Sequence, residues 1–323
     1  MTILVDQPRW PAHGTVWAHL VSDRSLEELH AFARANGLPS RSFDLDHYDV
    51  PAERVEQLVA AGARPVTGRE LVARLHASGL RVRGADRREE KHRRRLAELE
   101  RRWSHLARSV GSGDRAPAGA RSTGWPELGA ELLRRWDEPH RAYHDLEHLD
   151  DVLRHLDVLG DHGAEVPATV ELAAWFHDAV YDLVPGSDEE RSGALARERL
   201  TGLGLPQGTV AEVARLVLLT AGHAPDPDDP AGAILCDGDL AILAASPRRY
   251  GRYAAAVRAE YARVPEEDFR RGRAAVLRTL LDRPWIFATA TGRTLWEARA
   301  RENVAAELSR LTGRRADAPE IHP

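Results

Sequence analysis

The chain has 323 residues, 43% of them hydrophobic and 29% charged, with a formal net charge of −5 at pH 7. That length suggests about two domains, and the near-balanced charge argues neither for nor against an anionic partner. No apolar run approaches the ~18 residues of a membrane span, residues 1–6 lack the basic and apolar regions of a signal peptide, and the single cysteine, Cys236, excludes an internal disulfide and a cysteine-based zinc site, so a cytoplasmic protein without a membrane partner is expected.

Residues 1–82 read as a small α/β domain. Residues 2–5 form a short apolar strand. Ser25-Leu26-Glu27-Glu28 has the form of a capping box, in which Ser25 and Glu28 satisfy each other's amides. Leu26, Leu29, Phe32 and Ala33 then share a helical face, and Gly37 stops it. Phe43 and Leu45 alternate as a strand does. Val55, Leu58 and Val59 mark a second helix ending at Gly62. Thr67-Gly68-Arg69-Glu70 opens a third, with Leu71 and Leu75 behind it and Gly79 at its end.

Residues 83–122 read as a charged helix and a Gly/Pro/Ala linker. Between positions 81 and 108 stand 11 basic and 5 acidic residues, and Glu89 with Arg93, Glu90 with Arg94 and Glu98 with Arg102 are spaced for ion pairs. The interleaved acids predict a solvated spacer rather than a basic stripe for RNA. Residues 111–119 have a flexible linker's composition.

Residues 123–312 are helical in pattern. Apolar stripes run over 126–136, 141–159, 168–183, 188–203, 210–220, 240–245, 249–263, 269–281 and 295–311, with Gly and Pro between them. Residues 313–323 read as a flexible tail. The fold class expected is a small α/β N-terminal domain followed by an all-α domain.

The chemistry concentrates in that second part. His144 and His148 lie one turn apart on one helical face, His140 extends the row, and His155 follows two turns later. His177 and Asp178 close the apolar stretch 172–176. Two ionisable groups there cost several kcal/mol unless they are paired or hold a metal. Asp237 and Asp239, between the apolar runs 233–235 and 240–243, raise the same question, with a helix cap as the alternative. Two imidazoles and two carboxylates can close around one divalent ion, whose bound water has a pKa of about 7. This pattern predicts a metal-dependent hydrolase of phosphate esters or anhydrides.

The marks come in a fixed order. They are Arg141-Ala142-Tyr143-His144 with His148, Trp175-Phe176-His177-Asp178 with Tyr181-Asp182, Asp188-Glu189 with Ser192, and Thr220 with His223. Asp237-Gly238-Asp239-Leu240, Arg258 with Tyr261, Arg273, and Ala300-Arg301 with Asn303 complete the series. Over residues 125–312 it resembles the HD superfamily of metal-dependent phosphohydrolases, in particular the branch of predicted metal-dependent HD-superfamily phosphohydrolases. The resemblance implies an HD-type helical domain in which His148, His177, Asp178 and Asp239 bind the metal. Asp239 is taken over Asp237 because it directly precedes the apolar Leu240. Cyclic-nucleotide phosphodiesterases have a similar Tyr-His-Asn-x-x-His stretch, which implies His144 as general acid. Asp145 stands where those enzymes have Asn, and a carboxylate there would favour the imidazolium.

Mn, Zn, Fe, Co and Ni suit such a site, and Mg suits imidazoles less well. Glu189 and His223 are candidates for a second ion, or a helix-start acid and a hydrogen-bond partner. In the expected mechanism water attacks phosphorus in line, Arg141 holds a phosphate oxygen, Glu189 or Asp182 orients the water, and His223 lines the substrate site. Inter-helix ion pairs are the alternative for Arg141, Glu189 and Asp182. Arg258, Arg273 and Arg301 are expected to brace helices, and Tyr143, Trp175 and Phe176 to be core. The substrate expected is a phosphorylated small molecule, nucleotide-like. Competing readings are a non-catalytic nucleotide- or metal-binding sensor, a nucleic-acid-associated protein led by the N-terminal domain, and a di-iron oxygenase.

The N-terminal domain resembles domain of unknown function 4031. The resemblance rests on Val5-Asp6 with Pro8, Trp10-Pro11-Ala12-His13-Gly14, Trp17 with His19-Leu20, Ser22-Asp23, and Asp46-His47-Tyr48-Asp49-Val50-Pro51. It implies no activity. His13, His19, His47, Asp46 and Asp49 are candidates for a polar site on the loops after the strands, where α/β folds bind ligands, or for turn and cap residues.

Overall fold

The computed structural model describes residues 2–12, 14–39, 42–111, 124–184 and 187–313. His13, most of the expected linker and the tail after Gly313 lie outside these residues. The chain divides into two compact units, Met1–Arg94 and Arg95–Pro323.

In the first unit β3 (Thr15–Ser22) is the centre of a mixed sheet. It pairs antiparallel with β1 (Ile3–Val5), β2 (Trp10–Ala12) and β4 (Tyr48–Pro51), and β5 (Arg64–Pro65) joins β1 in parallel. Side chains alternate between the two faces of a strand. Ile3, Val5, Ala18, Leu20, Tyr48 and Val50 therefore pack with Leu29 and Ala33 of α1 (Leu26–Ala35) and Leu58 of α2 (Ala52–Ala60). Leu4 and Val21 meet Leu71 and Leu75 of α3 (Gly68–Ala77) in a separate cluster.

Ser25 accepts the Glu28 amide at 3.1 Å, as a capping box requires, but the return bond runs through Ser22. Its hydroxyl donates to Glu28 at 2.6 Å and accepts the Ser25 amide at 3.2 Å. The strand expected at Phe43 and Leu45 is a turn. Leu45 has φ 66°, and only an isolated bridge joins Phe43 to Tyr48.

Helix α4 (Arg87–Gly111) runs across the division between the units. In the first unit Arg87 and Lys91 pair with Asp44. In the second, Leu99, Trp103 and Leu106 belong to the buried core, and the Trp103 indole donates to the Trp125 carbonyl at 2.7 Å. These residues recur at i, i+4 and i+7, a helical apolar stripe. The expectation of a solvated spacer is thus corrected for this half. Of the expected i,i+4 pairs, Glu90 with Arg94 forms at 2.5 Å, whereas Glu98 turns to Arg101 and Arg102 to Asp157.

The second unit is all-helical. It contains α5 (Trp125–Trp136), α6 (Leu146–Asp161), α7 (Ala168–Phe176), α8 (Asp188–Gly202) and α9 (Gln207–Leu219). After α10 (Pro230–Leu240) and a 3-10 turn at Ala241–Ala244 come α11 (Pro247–Glu260), α12 (Glu266–Asp282), α13 (Ala290–Leu295) and α14 (Glu297–Thr312). Trp136, Trp175 and Phe176 are fully buried in its core. Helix α6 starts at 146 rather than 141 because Asp145 is its N-cap, accepting the Glu147 and His148 amides. Helix α7 ends at 176, well short of 183. The helix expected at 240–245 is the 3-10 turn, and α10 precedes it. Among the described residues no helix is long and apolar enough to cross a membrane.

Candidate metal centre

Three helix termini in the second unit bring four side chains to one point. Asp145 caps α6 and fixes its first turn, which carries His148. His177 and Asp178 follow α7, whose apolar body is buried. The His177 Nδ1 proton lies on the Ala174 carbonyl at 2.9 Å, which turns its Nε2 inward. Asp239 sits near the end of α10, behind Gly238. A Cβ at Gly238 would stand 2.9 Å from Leu156 Cδ2, so glycine permits the close approach of α10 to α6.

The result is tight. His148 Nε2 lies 3.2 Å from His177 Nε2 and 3.1 Å from Asp239 Oδ1. Asp178 Oδ2 is 3.2 Å from His177 Nε2 and 3.8 Å from His148 Nε2. Burial works against charge on both carboxylates, yet His177 foremost among their neighbours holds Asp178 and Asp239 well below the usual range. Burial likewise favours neutral His177, but Asp178 and Asp239 outweigh it and raise its pKa to about 9. Two imidazole nitrogens and two carboxylate oxygens form a donor set that fits a divalent transition ion.

Beside this cluster stands a residue the sequence pattern does not single out. Glu260, the last residue of α11, is buried, and its Oε1 accepts the amides of Ala142, Tyr143 and His144 at 2.7–2.9 Å. Its Oε2 takes His144 Nδ1 at 2.7 Å and the Tyr181 hydroxyl at 3.0 Å. These bonds overcome burial and lower the Glu260 pKa to about 2. His144 Nε2 then faces Asp178 Oδ2 at 4.0 Å. Burial opposes the imidazolium of His144, and the Glu260 bond together with the Asp178 charge reverses this and raises its pKa. The carboxylate that supports His144 is thus Glu260, while the neighbouring Asp145 serves as the α6 cap.

The remaining expected residues divide. Asp237 turns away from the cluster and accepts the Ala288 and Thr289 amides and the Thr289 hydroxyl at 2.6–2.9 Å. His223 joins the cluster, with Nε2 2.6 Å from Asp239 Oδ2. Its backbone is left-handed, φ 46°, and Arg283 holds it there by donating to the carbonyls of Gly222 and His223. Such strain persists only where surrounding contacts impose it.

Arg141 does not fit the role of phosphate ligand. Its side chain is 0% exposed and donates to Glu138 and to the carbonyls of His144, Asp178 and Ala179. Asp182 is exposed and paired with Arg191 at 2.5 Å, so it does not orient water at the cluster. Glu189 has no hydrogen bond or ion pair with the cluster among the described residues. His140 Nε2–H donates to the Tyr181 carbonyl at 2.7 Å, and His155 Nδ1–H to the Gly238 carbonyl at 3.0 Å. Arg258, Arg273 and Arg301 bind carboxylates and carbonyls of nearby turns and helices.

A cavity of about 210 Å³ opens beside His148, with Tyr143, Asp151, Arg249, Arg252 and Tyr253 in its wall. Arg249 pairs with Asp151. Arg252 is exposed and has no ion pair among the described residues. In the first unit, His19, His47 and Asp49 also come together, with ligand atoms within 4.8 Å of one another, whereas Asp46 is fully buried behind them.

Residues 3–78 match the family described as protein of unknown function DUF4031. No curated protein and no solved structure matches the chain.

Proposed function

We propose that residues 125–312 form a metal-dependent phosphohydrolase of the HD type, acting on a phosphate ester or anhydride of a small, nucleotide-like molecule. The observation that carries this reading is the convergence of His148, His177, Asp178 and Asp239 next to a His144–Glu260 pair. The four residues would hold a divalent ion, which when bound supplies an activated water and a polarised phosphoryl oxygen.

The chain's own groups account for the rest. Glu260 accepts a hydrogen bond from His144 Nδ1–H and so fixes the ring with Nε2 towards the cluster, where it holds a proton for the leaving-group oxygen. His223 orients the Asp239 carboxylate. Arg249 and Arg252, in the wall of the cavity, take the phosphate-binding role that the buried Arg141 leaves open. Arg141 instead ties the His144 carbonyl to the Asp178 and Ala179 carbonyls, linking the segment before α6 to the one after α7.

The test is phosphate release from a panel of nucleotides, sugar phosphates and pyrophosphate, with added Mn and an Asp178→Ala control. Turnover by the native chain and none by the variant supports the reading. Bound metal without turnover anywhere on the panel sinks it in favour of a non-catalytic sensor.

A further inference from the structure

Strand register in the first unit assembles a second set of metal-ligating groups. His19 of β3 lies directly across the ladder from Asp49 of β4. His47 stands two residues before Asp49, on the same side of the extended chain. Asp6, just after β1, meets His19 from the other flank. Its amide donates to the His19 carbonyl at 3.1 Å, and its Oδ1 accepts the His19 amide at 2.6 Å.

Each imidazole is anchored by its own carboxylate. His19 Nδ1 lies 3.0 Å from Asp6 Oδ2, and His47 Nδ1 lies 2.6 Å from Asp46 Oδ1. Asp46 is in turn held by the Val82 amide at 2.8 Å and by Arg81 at 3.2 Å. A nitrogen beside an ionised carboxylate carries the proton, so the neutral ring presents a lone pair at Nε2. Both Nε2 atoms point at one oxygen: Asp49 Oδ1 is 3.4 Å from His47 Nε2 and 4.0 Å from His19 Nε2. Without an ion a proton joins His47 Nε2 to Asp49, because burial of His47 is outweighed by the Asp46 and Asp49 carboxylates, which raise its pKa to about 9. A cation among the three groups takes that proton's place. Imidazoles whose second nitrogen is held by a carboxylate are the usual setting of histidine metal ligands.

We propose that His19, His47 and Asp49 bind a divalent first-row transition ion, zinc foremost, with Asp6 and Asp46 as positioning residues. Two nitrogens and one oxygen suit such an ion better than calcium or magnesium. Three protein ligands leave a coordination position for water or a ligand, as catalytic zinc sites do and closed structural sites do not. The Asp49 side chain is 45% exposed, which gives that position access to solvent. Trp10, 60% exposed, stands edge-on to the His19 ring at 5.9 Å and flanks the opening. The site shares no residue with the C-terminal cluster and does not depend on the phosphohydrolase reading.

The test is zinc titration of the untagged, metal-stripped full chain against a chromophoric chelator, with circular dichroism on every variant. The expected result is a zinc equivalent that survives combined His148→Ala and Asp178→Ala and is lost with combined His19→Ala and His47→Ala. Asp6→Asn should weaken it by about 10–100-fold, and Asp49→Asn by at least about ten-fold. If the double histidine variant does not fold, the near-isosteric Asp49→Asn decides. Unchanged zinc affinity in folded Asp49→Asn overturns the proposal. So does a chain in which combined His148→Ala and Asp178→Ala leaves no bound zinc.

Discussion

Glu260 Oε2 lies 2.7 Å from His144 Nδ1, although 116 positions separate the two residues. The contact converts an ordinary imidazole into one with a fixed ring orientation and a supported positive charge. Glu260→Gln keeps the shape and removes that charge. Turnover of the substrate identified in the phosphate-release assay should fall roughly 10²-fold, the lower end of what a positioned general acid contributes. Metal content should not change, because Glu260 touches none of the four proposed ligands. Equal loss of metal and turnover would show that the residue only supports the fold.

The same carboxylate makes a stability prediction. Its pKa is about 2 in the folded chain against an ordinary 4.5. A depressed carboxylate pKa stabilises the fold fully above the unfolded value, and the contribution disappears as pH falls from about 4.5 towards 2. At most roughly 3 kcal/mol is at stake. Urea unfolding of the metal-stripped chain should show a larger loss between about pH 6 and about pH 3 in the native protein than in Glu260→Gln. Equal losses would place the acid sensitivity elsewhere.

What the sequence made legible follows from cost. His177, Asp178 and Asp239 stand at the ends of apolar runs, where an ionisable group needs a strong reason to be. Glu260 ends an α11 segment rich in alanine and arginine, and there a glutamate looks like any exposed helical residue. Its partners are three main-chain amides of a distant turn, which leave no mark in the sequence. Arg141 misleads for the complementary reason, since an arginine beside histidines suggests a phosphate, while burial against carbonyls is a property of the fold alone. Helix α10 carries buried residues around its circumference and so lacks the one-sided stripe that marks a surface helix. In β3, Trp17 puts an apolar side chain on the same outward face as Thr15 and His19, which blurs the alternation that would mark a strand. The resemblance of residues 1–82 to domain of unknown function 4031 agrees with the family matched over residues 3–78, and brings no chemistry with it.

Asp237 and Asp239, two positions apart, should separate cleanly. Asp237→Ala strands the Ala288 and Thr289 amides at the start of α13, at a cost of about 1–3 kcal/mol. It should lower the melting temperature and leave metal binding in place. Asp239→Asn removes the charge of a proposed ligand from a cluster where like-charged carboxylates crowd together. It should abolish tight metal binding with little loss of stability in the metal-free chain. Melting curves and metal analysis of the two variants decide this, and a reversed pattern would exchange their roles.

Arg141 supplies the sharpest test of how the site is held. Its guanidinium is fully buried, and its N–H groups point at Glu138 and at three main-chain carbonyls. Lysine offers three donors from a single point and cannot reproduce a planar fork. Arg141→Lys therefore leaves buried carbonyls without partners, and each such group costs about 1–3 kcal/mol. The carbonyls concerned belong to His144, Asp178 and Ala179, so the imidazole and the carboxylate they carry lose their fixed positions. A residue acting in this way changes kcat and leaves KM near its native value, whereas a phosphate ligand changes KM. Steady-state kinetics with the panel substrate, beside a melting curve, tell the two apart. A raised KM at native stability would return Arg141 to the substrate, and a lowered kcat with a lowered melting temperature is the outcome its burial requires.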